Sequence, residues 1–171
     1  MIILNADMNP TTIFVTYNPR NEFEQTLAVR LQTLGAIHGF TMLLPDRFGG
    51  KPLVTQETEF RIKSSDYFIL FSTSNLTPTV QQEIEIAYKS LGDKSKIIIV
   101  YDRVKNLHHT LNCTEVYIDS TKSSAQEILD QTINSIRENQ AKLKKRDAQN
   151  AIGAILLIGL GLLALNSATS K

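Results

Sequence analysis

Short apolar runs alternate with longer amphipathic stretches along most of this chain. The short runs are rich in β-branched and aromatic residues and therefore predict strands. They cover residues 13–17, 40–44, 67–71, 97–101 and 115–118. The runs at 67–71 and 97–101 are continuously apolar, which is typical of strands buried on both faces. Strands that alternate with helices predict an α/β fold, with a parallel sheet covered by helices on both faces.

The amphipathic stretches carry apolar residues at helical spacing. The first begins after Asn21, a candidate helix cap, and Glu24 follows three residues later as in a capping box. Further helices are predicted over residues 56–63, around Val80 and onward, and from about Ser124. Helices are therefore predicted between the first four strands and after the last one.

The last apolar run differs from all the others in length. Residues 151–165 carry no charge and follow a basic stretch, which predicts a transmembrane helix at residues 151–168 behind a basic juxtamembrane segment at 141–150. The basic side chains are Lys142, Lys144, Lys145 and Arg146. By the positive-inside rule they would hold the domain of residues 1–140 in the cytoplasm, as a single-pass protein with a C-terminal anchor. The alternative is a helix buried in a partner or in an oligomer.

Composition narrows the classes of function. The chain has 171 residues and a net charge of +1, which gives no electrostatic case for binding nucleic acid. Its one cysteine, Cys113, excludes an internal disulfide. Together with His38, His108 and His109, that cysteine shows no zinc-type spacing, so no metal site is predicted.

The common nucleotide-binding loops are missing from the sequence. No glycine-rich turn follows the first strand, and Gly49-Gly50-Lys51 lacks the spacing of a P-loop. Instead, one carboxylate draws attention. Glu83 follows the strand at 67–71, just beyond its carboxyl end, which is where open α/β sheets bind their ligands. An ordinary solvated helix residue is the competing interpretation of Glu83.

The order of these segments resembles a Toll/interleukin receptor (TIR) domain between Thr12 and Asp119. The segments that carry the resemblance are residues 13–17 with the loop after them, 45–50, 62–72 and 74–83, with Ala87 one helical turn beyond Glu83. The resemblance implies a flavodoxin-like fold. It also implies homotypic TIR contacts, through which neighbouring domains commonly complete the catalytic sites of this family.

In the catalytic branch of the TIR family, a glutamate helps to cleave the bond between nicotinamide and ribose in NAD. The resemblance places Glu83 in this catalytic role, with NAD as substrate and no separate cofactor. It further implies that Tyr17, Asn18, Arg20 and Ser72 line the cleft. Arg47 would meet a phosphate of the substrate. This predicts a membrane-tethered NAD glycohydrolase or cyclase that is activated by clustering in signalling or defence.

Two other functions remain open at this stage. One is a non-enzymatic TIR signalling adaptor that acts through homotypic contacts. The other is an enzyme like the nucleoside deoxyribosyltransferases, which form another α/β group with a glutamate at the end of a strand. Replacing Glu83 separates the enzymes from the adaptor, and offering NAD beside deoxynucleosides separates the two enzymes.

Overall fold

A five-stranded parallel sheet forms the centre of the molecule. The computed structural model describes residues 10–47, 53–103 and 112–168, with side chains described as far as residue 150. The strands are β1 (Thr11–Thr16), β2 (Phe40–Leu43), β3 (Tyr67–Ser72), β4 (Ile97–Asp102) and β5 (Thr114–Ile118). Their order across the sheet is β2-β1-β3-β4-β5, and every neighbouring pair is parallel. This is the flavodoxin-like order, so the predicted α/β fold is confirmed.

Helices connect the first four strands in chain order, and a fourth helix follows β5. They are α1 (Glu22–Ile37), α2 (Gln56–Lys63), α3 (Pro78–Ser90) and α4 (Ala125–Ala168), with a short 3₁₀ turn at Lys94–Lys96. The side chains of Asn21, Thr55 and Thr77 cap the first three helices by accepting backbone N–H groups. Parallel crossovers are right-handed. The leftward connection through α1 and the rightward connections through α2 and α3 therefore cover opposite faces of the sheet.

The core is built around β3, the central strand of the sheet, and its neighbour β4. Every residue of β3 and β4 is buried, as the continuous apolar runs predict. The rings of Phe14 and Phe68 stack across the β1–β3 pair with their centroids 5.7 Å apart. Gly35 brings α1 close to β2, because a Cβ atom there would lie 2.5 Å from the end of the Met42 side chain. The sheet and its helices thus fix the strand ends that frame the site.

The C-terminal residues 136–171 form a compact unit of their own. The chain divides into two compact units, residues 1–135 and 136–171, and α4 extends through the division. The candidate transmembrane segment, residues 151–168, is helical in its backbone, but its side chains lie outside the described ones. Among the residues whose side chains are described, no helix is both long and apolar enough to span a membrane. The domain limits at 140 and 150 stay predictions.

Candidate functional site

The site lies where the strand order reverses. The chain leaves β1 towards one edge of the sheet through α1, and it leaves β3 towards the other edge through α3. The loops after β1 and β3 therefore separate and open a crevice beyond the carboxyl ends of these strands. Thr16 ends β1, and Glu83 lies on α3 shortly after β3, so the fold brings both to this crevice.

Glu83 is almost completely enclosed by protein. Its residue is 1% exposed, although an exposed position is the norm for a glutamate. The Thr16 hydroxyl donates a hydrogen bond to Oε2 of this carboxylate, and Nη2 of Arg47 donates to the same oxygen at 3.2 Å. Oε1 accepts neither of these two bonds. The interpretation of Glu83 as a solvated helix residue is therefore wrong.

Arg47 reaches the same place from the loop after β2. Its Nη2 also donates to the Thr16 hydroxyl at 3.2 Å and to the Tyr17 carbonyl at 3.0 Å. The guanidinium carbon lies 5.4 Å from the centroid of the Tyr17 ring, within the range of a cation–π contact. Among the described residues, no acceptor meets the buried Nε of Arg47. Nη2 of the guanidinium is thus held by the protein, whereas its Nε–H donor has no partner among the described residues.

The electrostatics of Glu83 are a balance of opposing effects. Burial raises the pKa of the Glu83 carboxyl above its ordinary value of 4.5, because removal from water disfavours the charged form. The positive charge of Arg47 and the hydrogen bonds from Thr16 and Arg47 lower the pKa, and burial is the larger effect. A carboxyl group with a raised pKa in a crevice is typical of functional sites.

A cavity of about 400 Å³ opens beside these groups, a size that suits a small-molecule ligand. It is lined by Asn18, Pro19, Arg20, Asp46, Arg47, Leu53, Val54, Thr55, Asn75, Leu76, Thr77, Pro78, Thr79 and Glu83. Polar groups from the loops after β1, β2 and β3 therefore converge on one space, as ligand sites require.

The structure brings most of the sequence-predicted site residues together. Asn18, Arg20, Arg47 and Glu83 all line the cavity. Tyr17 is 7% exposed and contributes its ring and carbonyl to hold Arg47, but it is not among the lining residues. Ser72, the last residue of β3, is 2% exposed and is not among them either.

A second buried carboxylate, Glu24, supports the rim of the cavity. The backbone N–H of Asn18 donates to its Oε2 at 2.7 Å. Its Oε1 accepts from the Thr73 N–H at 2.8 Å, the Thr73 hydroxyl at 2.9 Å, the Ser74 hydroxyl at 2.8 Å and the Asn21 amide at 3.3 Å. The sequence indicates only a capping-box partner for Asn21, whose Oδ1 does accept from the N–H groups of Phe23 and Glu24. Sequence analysis therefore missed this role of Glu24, and likewise that of Thr16.

Metal binding finds no support within the described ranges. They contain no cluster of three or more histidine, cysteine, aspartate or glutamate side chains able to hold an ion. His108 and His109 lie outside the described residues.

No protein-family model matches this chain, and no curated protein matches it in sequence. Solved structures do match its fold. A CMP N-glycosidase from Clostridium botulinum is similar with a TM-score of 0.50 and 19% identity, over 71% of this chain and 98% of that chain. The flavodiiron core of Flv1 from Synechocystis is similar with a TM-score of 0.51 and 12% identity, over 78% of this chain and 37% of that chain. At these identities the likeness shows a shared fold alone, the flavodoxin-like α/β fold.

Proposed function

We propose that this protein is an N-glycosidase that cleaves the bond between a base and ribose in a phosphate-bearing nucleotide, with Glu83 as its catalytic carboxylate. NAD is the leading substrate. The observation that carries the proposal is the buried Glu83 on the wall of a cavity of about 400 Å³ at the reversal of strand order. The sequence resemblance to catalytic TIR domains supports NAD in particular.

The chemistry needs one carboxylate. The bond between C1′ of the ribose and the nicotinamide nitrogen breaks, and its electron pair moves to the ring, which leaves as a neutral base. The ribose carbon becomes oxocarbenium-like, and the negative charge of Glu83 stabilises it. Water then bonds to C1′ and gives its proton to the carboxylate. In a cyclase, a nucleophile of the same substrate would take the place of water.

Arg47 connects substrate binding to the state of Glu83. Its guanidinium lies 3.2 Å from the Glu83 carboxylate and offsets part of the charge that the reaction uses. A substrate phosphate that accepts from the guanidinium would compete with the carboxylate for this cation. The charge on Glu83 would then be available to the developing cation at C1′. This predicts a preference for nucleotides over nucleosides.

A nucleoside monophosphate is the second candidate substrate. The similarity in fold to a CMP N-glycosidase, which extends over 98% of that chain, favours it. The cytosine of CMP carries no positive charge, unlike the nicotinamide ring of NAD. It therefore needs a proton in order to leave as a neutral base. Asp46 is the other carboxyl-bearing residue of the cavity lining, so it is the group to test as the acid.

The experiment offers NAD, CMP and deoxycytidine separately to the full chain displayed on vesicles, and measures free base by chromatography. Glu83→Gln keeps the shape and removes the charge, so base release should fall by at least about 100-fold. Glu85→Gln is the matched control on the same helix, since Glu85 is largely exposed, and it should change the rate by no more than about twofold.

Each result decides between functions. Turnover of NAD supports the leading proposal, and turnover of CMP alone supports the second. Base exchange on deoxycytidine that depends on an added acceptor base would indicate a transferase instead. If folded, clustered protein releases base from none of the three, the enzymatic proposal fails and the TIR adaptor is favoured.

Membrane attachment and clustering belong to the same proposal. The uncharged run at 151–165 and the basic residues before it support a C-terminal anchor with the domain in the cytoplasm. Tethering would raise the local concentration of domains and so favour TIR contacts between copies. The full chain should resist carbonate extraction from membranes, and residues 1–146 should be soluble and weakly active when dilute. A full chain that stays in solution as a uniform oligomer would instead support a helix buried between copies.

A further inference from the structure

Glu24 has more partners than the stability of one helix end requires. It is 0% exposed and accepts five hydrogen bonds from described residues, four of them at Oε1 and one at Oε2. These donors come from two separate segments. Asn18 and Asn21 follow β1, whereas Thr73 and Ser74 follow β3. One carboxylate therefore ties together the two loops that diverge at the reversal of strand order.

The tie extends directly to the cavity. The Asn18 side chain donates to the Ser74 hydroxyl at 3.1 Å and to the Asn75 carbonyl at 3.0 Å. Its Oδ1 accepts the backbone N–H of Arg20 at 2.9 Å. Asn18, Arg20 and Asn75 all line the cavity, but Glu24 does not. Glu24 is thus one step behind the wall that a ligand would touch.

We propose that Glu24 is a positioning residue, which sets the width of the ligand cavity by holding the loops after β1 and β3 at a fixed separation. It acts through Asn18 and Ser74 and touches neither the ligand nor Glu83. Since it fixes the binding wall and leaves the Glu83–Arg47–Thr16 cluster alone, its loss should weaken binding of a nucleotide more than it slows the bond-breaking step. This last expectation rests on the proposed function.

Glu24→Gln is the informative variant, because the two carboxylate oxygens have different partners. A Gln carbonyl in the place of Oε1 keeps the donors from Thr73, Ser74 and Asn21. Its NH₂ group then faces the Asn18 N–H, a donor facing a donor, so that single bond is lost. Thr132→Val is the matched control. Thr132 is also 0% exposed, and its hydroxyl donates to the Ile128 carbonyl within α4.

The first measurement does not depend on any activity. In the full chain with Glu24→Gln, the Asn18 amide should exchange with solvent at least about tenfold faster, whereas the Thr73 amide should stay within about threefold of its original rate. Thr132→Val should change neither amide selectively. If both amides speed up together in proportion to the loss of global stability, Glu24 is only structural and the proposal fails.

The second measurement is kinetic. Glu24→Gln should raise the KM of the substrate found by base release about tenfold and leave kcat within about threefold, the signature of lost ground-state binding. A fall in kcat of about tenfold with an unchanged KM would overturn the proposal. If Glu24→Gln does not fold, Ser74→Ala removes a neighbouring link of the same tie and should raise KM about threefold. If no substrate turns over in the wild type, the proposed function fails, but the exchange result still decides the role of Glu24.

Discussion

Two glutamates, Glu24 and Glu83, are buried near the carboxyl ends of the strands, and their hydrogen-bond partners differ. Glu24 accepts five hydrogen bonds from uncharged donors of the described residues, spread over both of its oxygens. Glu83 accepts from Thr16 and Arg47, and both bonds end on one oxygen. Both side chains are nearly inaccessible, at 0% and 1% exposure. The two residues therefore do not differ in burial, but they differ in the number and kind of their hydrogen-bond donors.

The difference shows how one fold assigns two roles to the same side chain. A carboxylate with its lone pairs filled by rigid backbone and hydroxyl donors has no capacity left for a ligand, and it stabilises the loops that supply those donors. A carboxylate with one oxygen outside these bonds, beside a cation on a loop, can respond when a ligand competes for that cation. Stability and the shape of the cavity should therefore depend on Glu24, whereas the change in charge on ligand binding should depend on Glu83.

The largest expected difference is in stability. Glu24→Ala leaves the Thr73 N–H and neighbouring donors without their acceptor, at a cost of about 1–3 kcal/mol for each buried group left unsatisfied. The N–H and the hydroxyl of Thr73 are the two buried donors, so the loss is about 2–6 kcal/mol. We expect Tm to fall by roughly 4–24 °C, since about 1 kcal/mol changes Tm by roughly 2–4 °C in a protein of this size. Thermal denaturation followed by circular dichroism measures the change. A Glu83→Ala protein that loses as much Tm as Glu24→Ala would remove the distinction between the two residues.

The next effect concerns Arg47, which forms an ion pair with Glu83, whereas the donors to Glu24 are uncharged. Arg47→Met should raise the KM for NAD at least about tenfold, because a charge-assisted hydrogen bond contributes about 1.5–3 kcal/mol. It should also move the acid limb of the rate profile to higher pH, since Arg47 lowers the pKa of Glu83 and its loss leaves burial less opposed. Initial rates across pH measure both. An unchanged KM with weaker assembly of the domains would assign Arg47 to a contact between copies.

A smaller effect is the pH dependence of stability. The folded pKa of Glu83 is raised, so the folded protein binds this proton more tightly than the unfolded chain does. The resulting stabilisation is complete below about pH 4.5 and is lost as the pH rises through the folded value. Glu83→Gln does not titrate, so its Tm should gain on that of the wild type as the pH rises through the folded pKa of Glu83. Thermal denaturation of both proteins across pH measures the difference. A difference in Tm that shrinks with rising pH would contradict the raised pKa.

Much of the fold could be predicted because it depends on local pattern. The helix at 56–63 and the cap at Asn21 are where the sequence places them, and the strand runs agree with β1–β5 to within two residues at each end. The position of Glu83 at a strand end follows from the same pattern. The partners of Glu24 could not be predicted, because Thr73 lies 49 residues away and only the crossover topology brings the two together. The resemblance places Arg47 in the cleft, but its ion pair with Glu83, 36 residues away, is not predicted from the sequence.

The smallest effect tests a residue that sequence and structure treat differently. The sequence resemblance puts Ser72 on the wall of the cleft, where its hydroxyl would contact substrate. In the structure Ser72 is 2% exposed, and the cavity lining does not include it. Ser72→Ala should therefore change the rate of base release and the KM by less than about twofold, because its hydroxyl does not reach the ligand. The kinetics of Ser72→Ala are measured beside those of Glu24→Gln. Both residues are buried and neither lines the cavity, but only Glu24 accepts a hydrogen bond from Asn18, which does line it. A rise in KM for Ser72→Ala as large as that for Glu24→Gln would mean that the ligand reaches beyond the cavity to the end of β3, as the sequence resemblance predicts.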